Sequence, residues 1–292
     1  MKQIDIQTND AHQRVDKFLG KTFPNLSKSM MYKAIRNKKI KVNRKRCSYD
    51  QILEEGDSIL LFLPEEFLEM KSVSIQANHE LDIIYEDEDV LIVNKPYGLL
   101  SQSDQKGEQD CLVARVQSYL YYTHQYDPKK EHSFTPTICH RLDRNTTGLV
   151  IAAKNANALK TINSAISNRK IHKYYKAMIQ GQLPQKEMEL TFYIKKEDTK
   201  ALVSVFEEEG YKQATLVVKE LYVKKNVSCV EVELMTGRFH QIRATLGFLG
   251  FPLVGDVKYG YTGKLKDISL QAYKLVFEEI GLPISNKVIE TH

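Results

Sequence analysis

The stretch "CHRLDRNTTGLVIAAK", residues 139–154, sets one carboxylate, Asp143, between two guanidiniums, Arg141 and Arg144, with His140 alongside. Flanking positive charge favours an ionised carboxylate, which keeps Asp143 an available nucleophile rather than an acid. A salt bridge that merely pins the loop is the competing use of the same residues. His140 reads as a structural hydrogen-bonder rather than a base.

Three further segments have compositions that packing alone does not require. In "VNKPYGLLSQ", 93–102, the residue before Pro96 is pushed to an extended conformation and Gly98 permits a sharp turn. That geometry is expected to deliver Lys95 and Tyr97 to an exposed edge, although an ordinary strand exit accounts for the segment equally well. In "HKYYKAMIQG", 172–181, alternation puts Tyr175, Ala177 and Ile179 on one strand face and Tyr174, Lys176 and Met178 on the other. A tyrosine in a site can stack on a base, but paired tyrosines also pack cores. "MTGRFHQIRATLGFLGFPLVGDVKYG", 235–260, carries Arg243 in a helix-like middle and turn chemistry in "GDVKYG"; read alone it is equally a helix with a glycine-rich exit.

These residues need elements to hold them. "GLVIAAK" reads as a buried strand, which makes "HRLDRNTTG" the loop feeding it, and sites are commonly built on such loops. "LDIIYEDEDVLIVNKP" reads as two strand-like pieces around an acidic turn. "DCLVARVQSYLYY" and "NANALKTINSAISNRK" read as helices, and "YYKAMIQG", "TLVVKELYV", "VSCVEVELM" and "SLQAYKLVF" as strands. There is no βαβ alternation, glycine-rich phosphate loop or internal repeat, so the expected body is α+β on a mixed, mostly antiparallel sheet.

In front of it, "QRVDKFLGKTF" places Val15, Phe18, Leu19 and Phe23 at helical spacing, and Ser27 is a candidate N-cap for a second helix. "IKVN" and "DSILLFL" follow as short strands. Residues 64–79, "PEEFLEMKSVSIQANH", have weak periodicity and read as a linker. The expected organisation is a small module over 1–63, a linker over 64–80 and a larger domain over 81–292.

Charge separates the same regions. Residues 1–62 hold 13 Lys/Arg against 7 Asp/Glu, while the remainder holds 29 against 30. Lys28, Lys33, Arg36, Lys38, Lys39, Lys41, Arg44, Lys45 and Arg46 follow one another with no acid between them. A solvated face is the bland use of such a run. Apolar stripes on the same elements gather the cations on one surface, which suits contacts with the phosphates of a nucleic acid, giving affinity and register. The four cysteines, at 47, 111, 139 and 229, form no C-x-x-C pair, which suits a reducing compartment and argues against zinc or a disulfide framework. The polar start lacks a signal-peptide apolar region, and no run is long enough to span a membrane. A cytoplasmic protein with no membrane partner is expected.

Taken in order over residues 81–280, the four segments resemble the RluA-type RNA pseudouridine synthases: "NKPYGLL", "HRLDRNTTGL", the tyrosine strand from Lys173 to Gly181, and "GRFHQIR…GFPLVGDVKYG". "SLQAYKLVF" is similar to the family's C-terminal pocket strand. Residues 12–62 resemble the alpha-L (S-four) RNA-binding domain, an arrangement like that of the ribosomal-RNA-modifying branch. The resemblance implies Asp143 as nucleophile, Tyr175 as the ring that stacks on the target base and takes part in proton transfer, and Arg243 as partner of the Asp143 carboxylate. It further implies that Leu270 walls a uracil pocket, that Arg141 fills the gap left by a flipped nucleotide, and that Lys95, Arg144 and His240 contact substrate. Thr147, Thr245, Gln271 and Gln102 depart from residues usual in the family, away from those three catalytic positions.

The implied reaction isomerises uridine to pseudouridine. Substrate and product have the same atoms, so no redox cofactor, energy source or metal is demanded. Large-subunit ribosomal RNA, free or in pre-ribosomal particles, is the expected substrate, with a monomer as the expected state. Two rivals are a non-catalytic RNA-binding or ribosome-assembly protein on the same fold, and a hydrolase that would release uracil. A glycosidase-like site calls for two carboxylates, and no second one stands out.

Overall fold

Where Val15, Phe18, Leu19, Met31 and Ile35 recur at helical spacing, the chain forms two short helices, α1 (Val15–Thr22) and α2 (Lys28–Arg36). The Ser27 Oγ accepts the Met30 N–H at 3.4 Å, so the expected N-cap is in place. In this computed structural model the described residues are 1–70, 75, 78–104 and 110–291; part of the expected linker, 71–74 and 76–77, lies outside them. The chain folds as two compact units, one of Met1–Glu80, Ala114–Thr137 and Ala153–Leu159, the other of Leu81–Val113, Ile138–Ala152 and Lys160–His292.

In the first unit the helices pack on short strands: β1 (Lys2–Asp5), β2 (Gln13–Arg14), β3 (Ile40–Val42), β4 (Lys45–Arg46), β5 (Ile52–Leu53) and β6 (Ser58–Leu61). Four of them form a sheet in the order β1-β6-β3-β4, and β2 pairs with β5. The β3–β4 turn has positive φ at both Asn43 and Arg44, as a two-residue hairpin of matching twist requires. Val15, Phe18, Met31, Ile40, Ile59 and Leu61 share one core. Burying Met31, Ala34 and Ile35 leaves Lys28, Lys33 and Arg36 outside, and all nine cations of the run are exposed except Lys41, which is half-buried. Leu68, in the expected linker, is also buried in this core. Later chain joins the unit through the buried Asp10 carboxylate, which accepts the Ser133 N–H at 2.8 Å and its hydroxyl at 2.6 Å.

The second unit is built on one large mixed sheet. Its strands are β7 (Ile83–Glu86), β8 (Val90–Lys95), β9 (Thr137–Ile138), β10 (Thr147–Ala153), β11 (Ile171–Gln180), β12 (Glu187–Glu197), β13 (Lys200–Ser204), β14 (Lys212–Lys224), β15 (Val227–Leu234), β16 (Leu270–Phe277) and β17 (Val288–Glu290). The main path runs β13-β12-β14-β15-β11-β16-β10-β8-β7, with β17 on β16 and β9 on β10. Neighbours from β13 to β16 pair antiparallel, whereas β10 pairs with β16 in parallel. At that parallel junction a Cβ built on Gly148, whose φ is 112°, would overlap the Ala272 carbonyl, so only glycine lets the two strands approach.

The expected helices appear as α3 (Leu112–Tyr122), α4 (Ala156–Ser167) and α5 (Gln241–Phe248). Residues 241–246 of α5 are all buried, including Gln241 and Arg243. No helix among the described residues is long and apolar enough to cross a membrane.

Candidate active site

The loop that carries Asp143 is fastened to the turn after β8. Leu142 N–H donates to Ser101 Oγ at 3.1 Å, and that hydroxyl donates back to Leu142 O at 2.6 Å. Gly98 N–H donates to Arg144 O at 3.0 Å, and Arg144 Nε donates to Gly98 O at 2.9 Å. Beneath them Lys95 is fully buried, and its ammonium donates to the carbonyls of Pro96, Leu99 and Arg144 at 3.0, 2.8 and 3.1 Å. This corrects the expectation of an exposed edge: Tyr97 is 40% exposed, but Lys95 clamps the two loops and its three protons are taken. Burial pushes the Lys95 pKa down to about 8.

Asp143 projects from this clamp with 28% of its side chain exposed. Its partner is not one of the loop arginines. Arg141 is exposed and Arg144 holds the backbone, whereas Arg243 Nη1 stands 3.4 Å from Asp143 Oδ2. Arg243 is itself anchored on the buried Asp256, with Nε to Oδ2 at 2.7 Å and Nη2 to Oδ1 at 3.0 Å. The planar fork of a guanidinium fits a carboxylate in this two-bond manner. The expectation that neighbouring arginines dominate the Asp143 charge is therefore corrected. Burial raises its pKa above the usual carboxylate range, Arg243 and Lys95 pull it back, and Asp256 adds to the rise.

His240 precedes α5 with a left-handed backbone, φ 51°. Its ring stacks on Phe239 at 3.8 Å, Nδ1 lies 2.8 Å from the Tyr259 hydroxyl, and Nε2 lies 3.7 Å from Asp143 Oδ2. Tyr259 Oη already accepts the Ala201 N–H at 2.7 Å, so its own proton serves Nδ1 and the His240 proton belongs on Nε2, facing the carboxylate. Burial, with Arg243, Lys258 and Lys196 adding to it, lowers the His240 pKa to about 3 and keeps the ring neutral. His140 takes the structural role expected of it: Nε2 accepts the Ile151 N–H at 3.2 Å, and burial and Lys173 lower its pKa to about 3.

Tyr175 is buried on the middle strand β11, next to a register shift between Tyr174 and Tyr175. Burial and the Asp143 charge raise its pKa, so the phenol is neutral. Tyr174 instead faces Lys274, whose ammonium is 4.2 Å from its ring centroid. Leu270 is buried at the start of β16, opposite Ala177. The fold thus brings Asp143, Arg243, His240, Lys95 and Arg144 together, with Tyr175 within reach of the Asp143 charge. Asp256, Tyr259 and Ser101 belong to the same constellation and were not singled out in the sequence, although "GDVKYG" contains the first two. Among the described residues no three His, Cys, Asp or Glu side chains converge to hold a metal ion.

Residues 89–247 match the family model described as RNA pseudouridylate synthase, and residues 13–59 match the S4 domain. The chain belongs to the RNA pseudouridylate synthase family. It is an RNA-modifying isomerase with an N-terminal S4 domain. An uncharacterized RNA pseudouridine synthase of Mycoplasma capricolum is 35% identical over 99% of this chain and 97% of its own length. A ribosomal large subunit pseudouridine synthase C of Buchnera aphidicola is 30% identical, covering 88% of this chain and 80% of its own. Among solved structures, human RNA pseudouridylate synthase domain containing 4 superposes with a TM-score of 0.59 at 20% identity, over 72% of this chain and 87% of that one, which is a likeness of fold.

Proposed function

We propose that this pseudouridine synthase acts through Asp143 on a uridine flipped out of a structured RNA, and that the RNA is ribosomal, of the large subunit. The observation that carries the reading is the partly buried Asp143 carboxylate, 3.4 Å from a guanidinium whose other edge is already held by Asp256. A carboxylate kept only as a salt bridge has no need of so elaborate a support.

In the isomerisation the bond from uracil N1 to the sugar C1′ breaks and a bond from C5 to C1′ forms. The C5 proton leaves and N1 gains one, so the atoms balance with no co-reactant. A stacked base hides C1′ and both faces of the ring, which is why the nucleotide must leave the helix. Asp143 engages the sugar while ionised, either at C1′ or by assisting loss of a sugar proton to give a glycal. Arg243 and the Nε2 proton of His240 stabilise its charge before that step and again when the carboxylate is regenerated. Tyr175, a neutral phenol, offers a ring to stack on uracil and a hydroxyl for proton transfer, and Leu270 supplies an apolar wall. Arg141, exposed on the loop, fills the space that the flipped nucleotide vacates.

A division of labour between residues 1–63 and 81–292 completes the reading: the basic S4 module anchors RNA phosphates and the larger domain performs the isomerisation. The large-subunit assignment draws on the Buchnera relative, and it carries a cytoplasmic address with it. The test is to map pseudouridines in all RNA from cells with and without the gene, and from cells expressing only Asp143→Asn. Loss of one or a few sites in large-subunit RNA, restored by wild type alone, is expected. Sites lost only from small-subunit RNA or tRNA overturn the substrate, and restoration by Asp143→Asn overturns the mechanism.

A further inference from the structure

Beside α2, in the S4 module, lies a groove of about 870 Å³ whose walls are aromatic and whose rim is cationic. Tyr32 and Tyr49 form one wall, their rings 5.2 Å apart at 62°, and both are exposed, by 41% and 47%. Ile35 lies at the groove, and Lys33, Arg36 and Arg46 stand around it with no acidic residue in the lining. Single exposed tyrosines are ordinary, but two gathered in one concavity with a polar rim form the kind of patch that marks a binding site.

The rings are also fixed in place. The Tyr32 hydroxyl donates to Asp16 Oδ2 at 3.3 Å, and Arg14 bridges that carboxylate with bonds of 3.0 and 2.8 Å. The Arg14 guanidinium lies 5.4 Å from the centre of the Tyr49 ring. The backbone under Tyr49 is tied to the start of α1, through Asp16 N–H to Tyr49 O and Val15 N–H to Gln51 O, each 2.9 Å. Phosphate attraction alone needs none of this, because cations on flexible stems suffice.

We infer that this groove is a nucleobase-binding site: Tyr32 and Tyr49 take an unpaired base of the RNA while Lys33, Arg36 and Arg46 hold the phosphates on either side of it. Charge complementarity and stacking both select a nucleotide that has left its helix, a bulge or loop position separate from the uridine that is modified. A duplex can offer only its backbone to such a groove. The module thus favours irregular RNA over uniform helix. This inference rests on the S4 module being an RNA anchor.

The test uses the full chain and a stem-loop RNA with one bulged 2-aminopurine, a purine that the isomerisation cannot use. Affinity is measured across a salt series together with 2-aminopurine emission. For the double variant Tyr32→Leu/Tyr49→Leu, we expect affinity about tenfold weaker at every salt concentration, an unchanged salt slope, and loss of the emission change. Tyr32→Phe/Tyr49→Phe keeps the rings and behaves as wild type. Lys33→Gln/Arg36→Gln lowers the slope by roughly one to two, as lost phosphate contacts do. If the leucine variant matches wild type while the glutamine variant loses slope, the base site is wrong and the anchor stands. If neither variant alters binding, the anchor falls and the base site with it.

Discussion

Asp143 Oδ2 and Arg243 Nη1 stand 3.4 Å apart across 100 residues of chain, whereas the same guanidinium holds Asp256 at 2.7 and 3.0 Å. Charge-assisted bonds are usually 2.7–2.9 Å, so Arg243 binds Asp256 and only leans toward Asp143. One carboxylate positions the arginine, and the other is left with lone pairs to use. That asymmetry separates the roles of two otherwise similar ion pairs.

Asp143→Asn should abolish pseudouridine formation while leaving RNA affinity near wild type. Because burial raises the Asp143 pKa, the folded state holds its proton more tightly than the unfolded chain, and the ionised carboxylate costs stability at neutral pH. The melting temperature of the variant should accordingly be no lower than that of wild type. Chemical mapping and a thermal melt on one preparation check both statements, and a well-folded variant that still isomerises uridine at a substantial rate contradicts the first.

Tyr175→Phe keeps the ring and removes the hydroxyl. Binding should be near normal and turnover should fall by at least about a hundredfold, in the range typical of a lost proton-transfer group. Tyr174→Phe should be nearly neutral, since Tyr174 packs under Lys274 rather than facing Asp143. Single-turnover rates decide, and the reverse ranking would move the role from Tyr175 to Tyr174.

Arg243→Gln and Asp256→Asn should move the acid limb of the activity profile in opposite directions. Arg243 pulls the Asp143 pKa down and Asp256 pushes it up, so removing the cation moves the limb to higher pH and removing the second carboxylate moves it lower. Asp256→Asn should also destabilise the fold by about 3–5 kcal/mol, the usual result of breaking one side of a buried pair. Residual rates between about pH 4 and 8 with a denaturant titration test both effects.

Stability itself should fall on acidification. His140 and His240 are lowered to about 3 in the fold, against about 6.5 in an unfolded chain. Between those limits the unfolded state binds more protons, so stability is present above pH 6.5 and lost as pH falls toward 3, at up to about 1.4 kcal/mol per pH unit for each proton. The raised Asp143 pKa opposes this in part. Replacing His140 by Gln should flatten the slope by about one proton, and an unchanged slope would mean that His140 is charged in the folded state.

Much of the architecture was legible because local signals and burial agree. The amphipathic spacing of Val15, Phe18 and Leu19, the Ser27 cap, and the alternation around Tyr175 each have one consistent solution. In β12, "EMELTFYIKKE", Met188, Leu190, Phe192 and Ile194 alternate with more polar residues, a local strand signal, and the last three are buried, whereas β1 and β13 are too short to show such an alternation. Long-range pairing, not composition, makes those two strands. The site was legible as a set of segments but not as a set of contacts. Nothing local says that Lys95 turns inward to three carbonyls, or that Asp256 rather than Asp143 receives both prongs of Arg243.

Strand order has a consequence for biosynthesis. β10, which follows the Asp143 loop, and β11, which carries Tyr175, are separated in the sheet by β16, which arrives only in the final tenth of the chain. A ribosome adding about 5–20 residues per second therefore exposes Asp143 and Tyr175 several seconds before the strand that joins their halves. Nascent chains that stop short of Leu270 should remain protease-sensitive around both residues, and the enzyme should become competent only once β16 has been added.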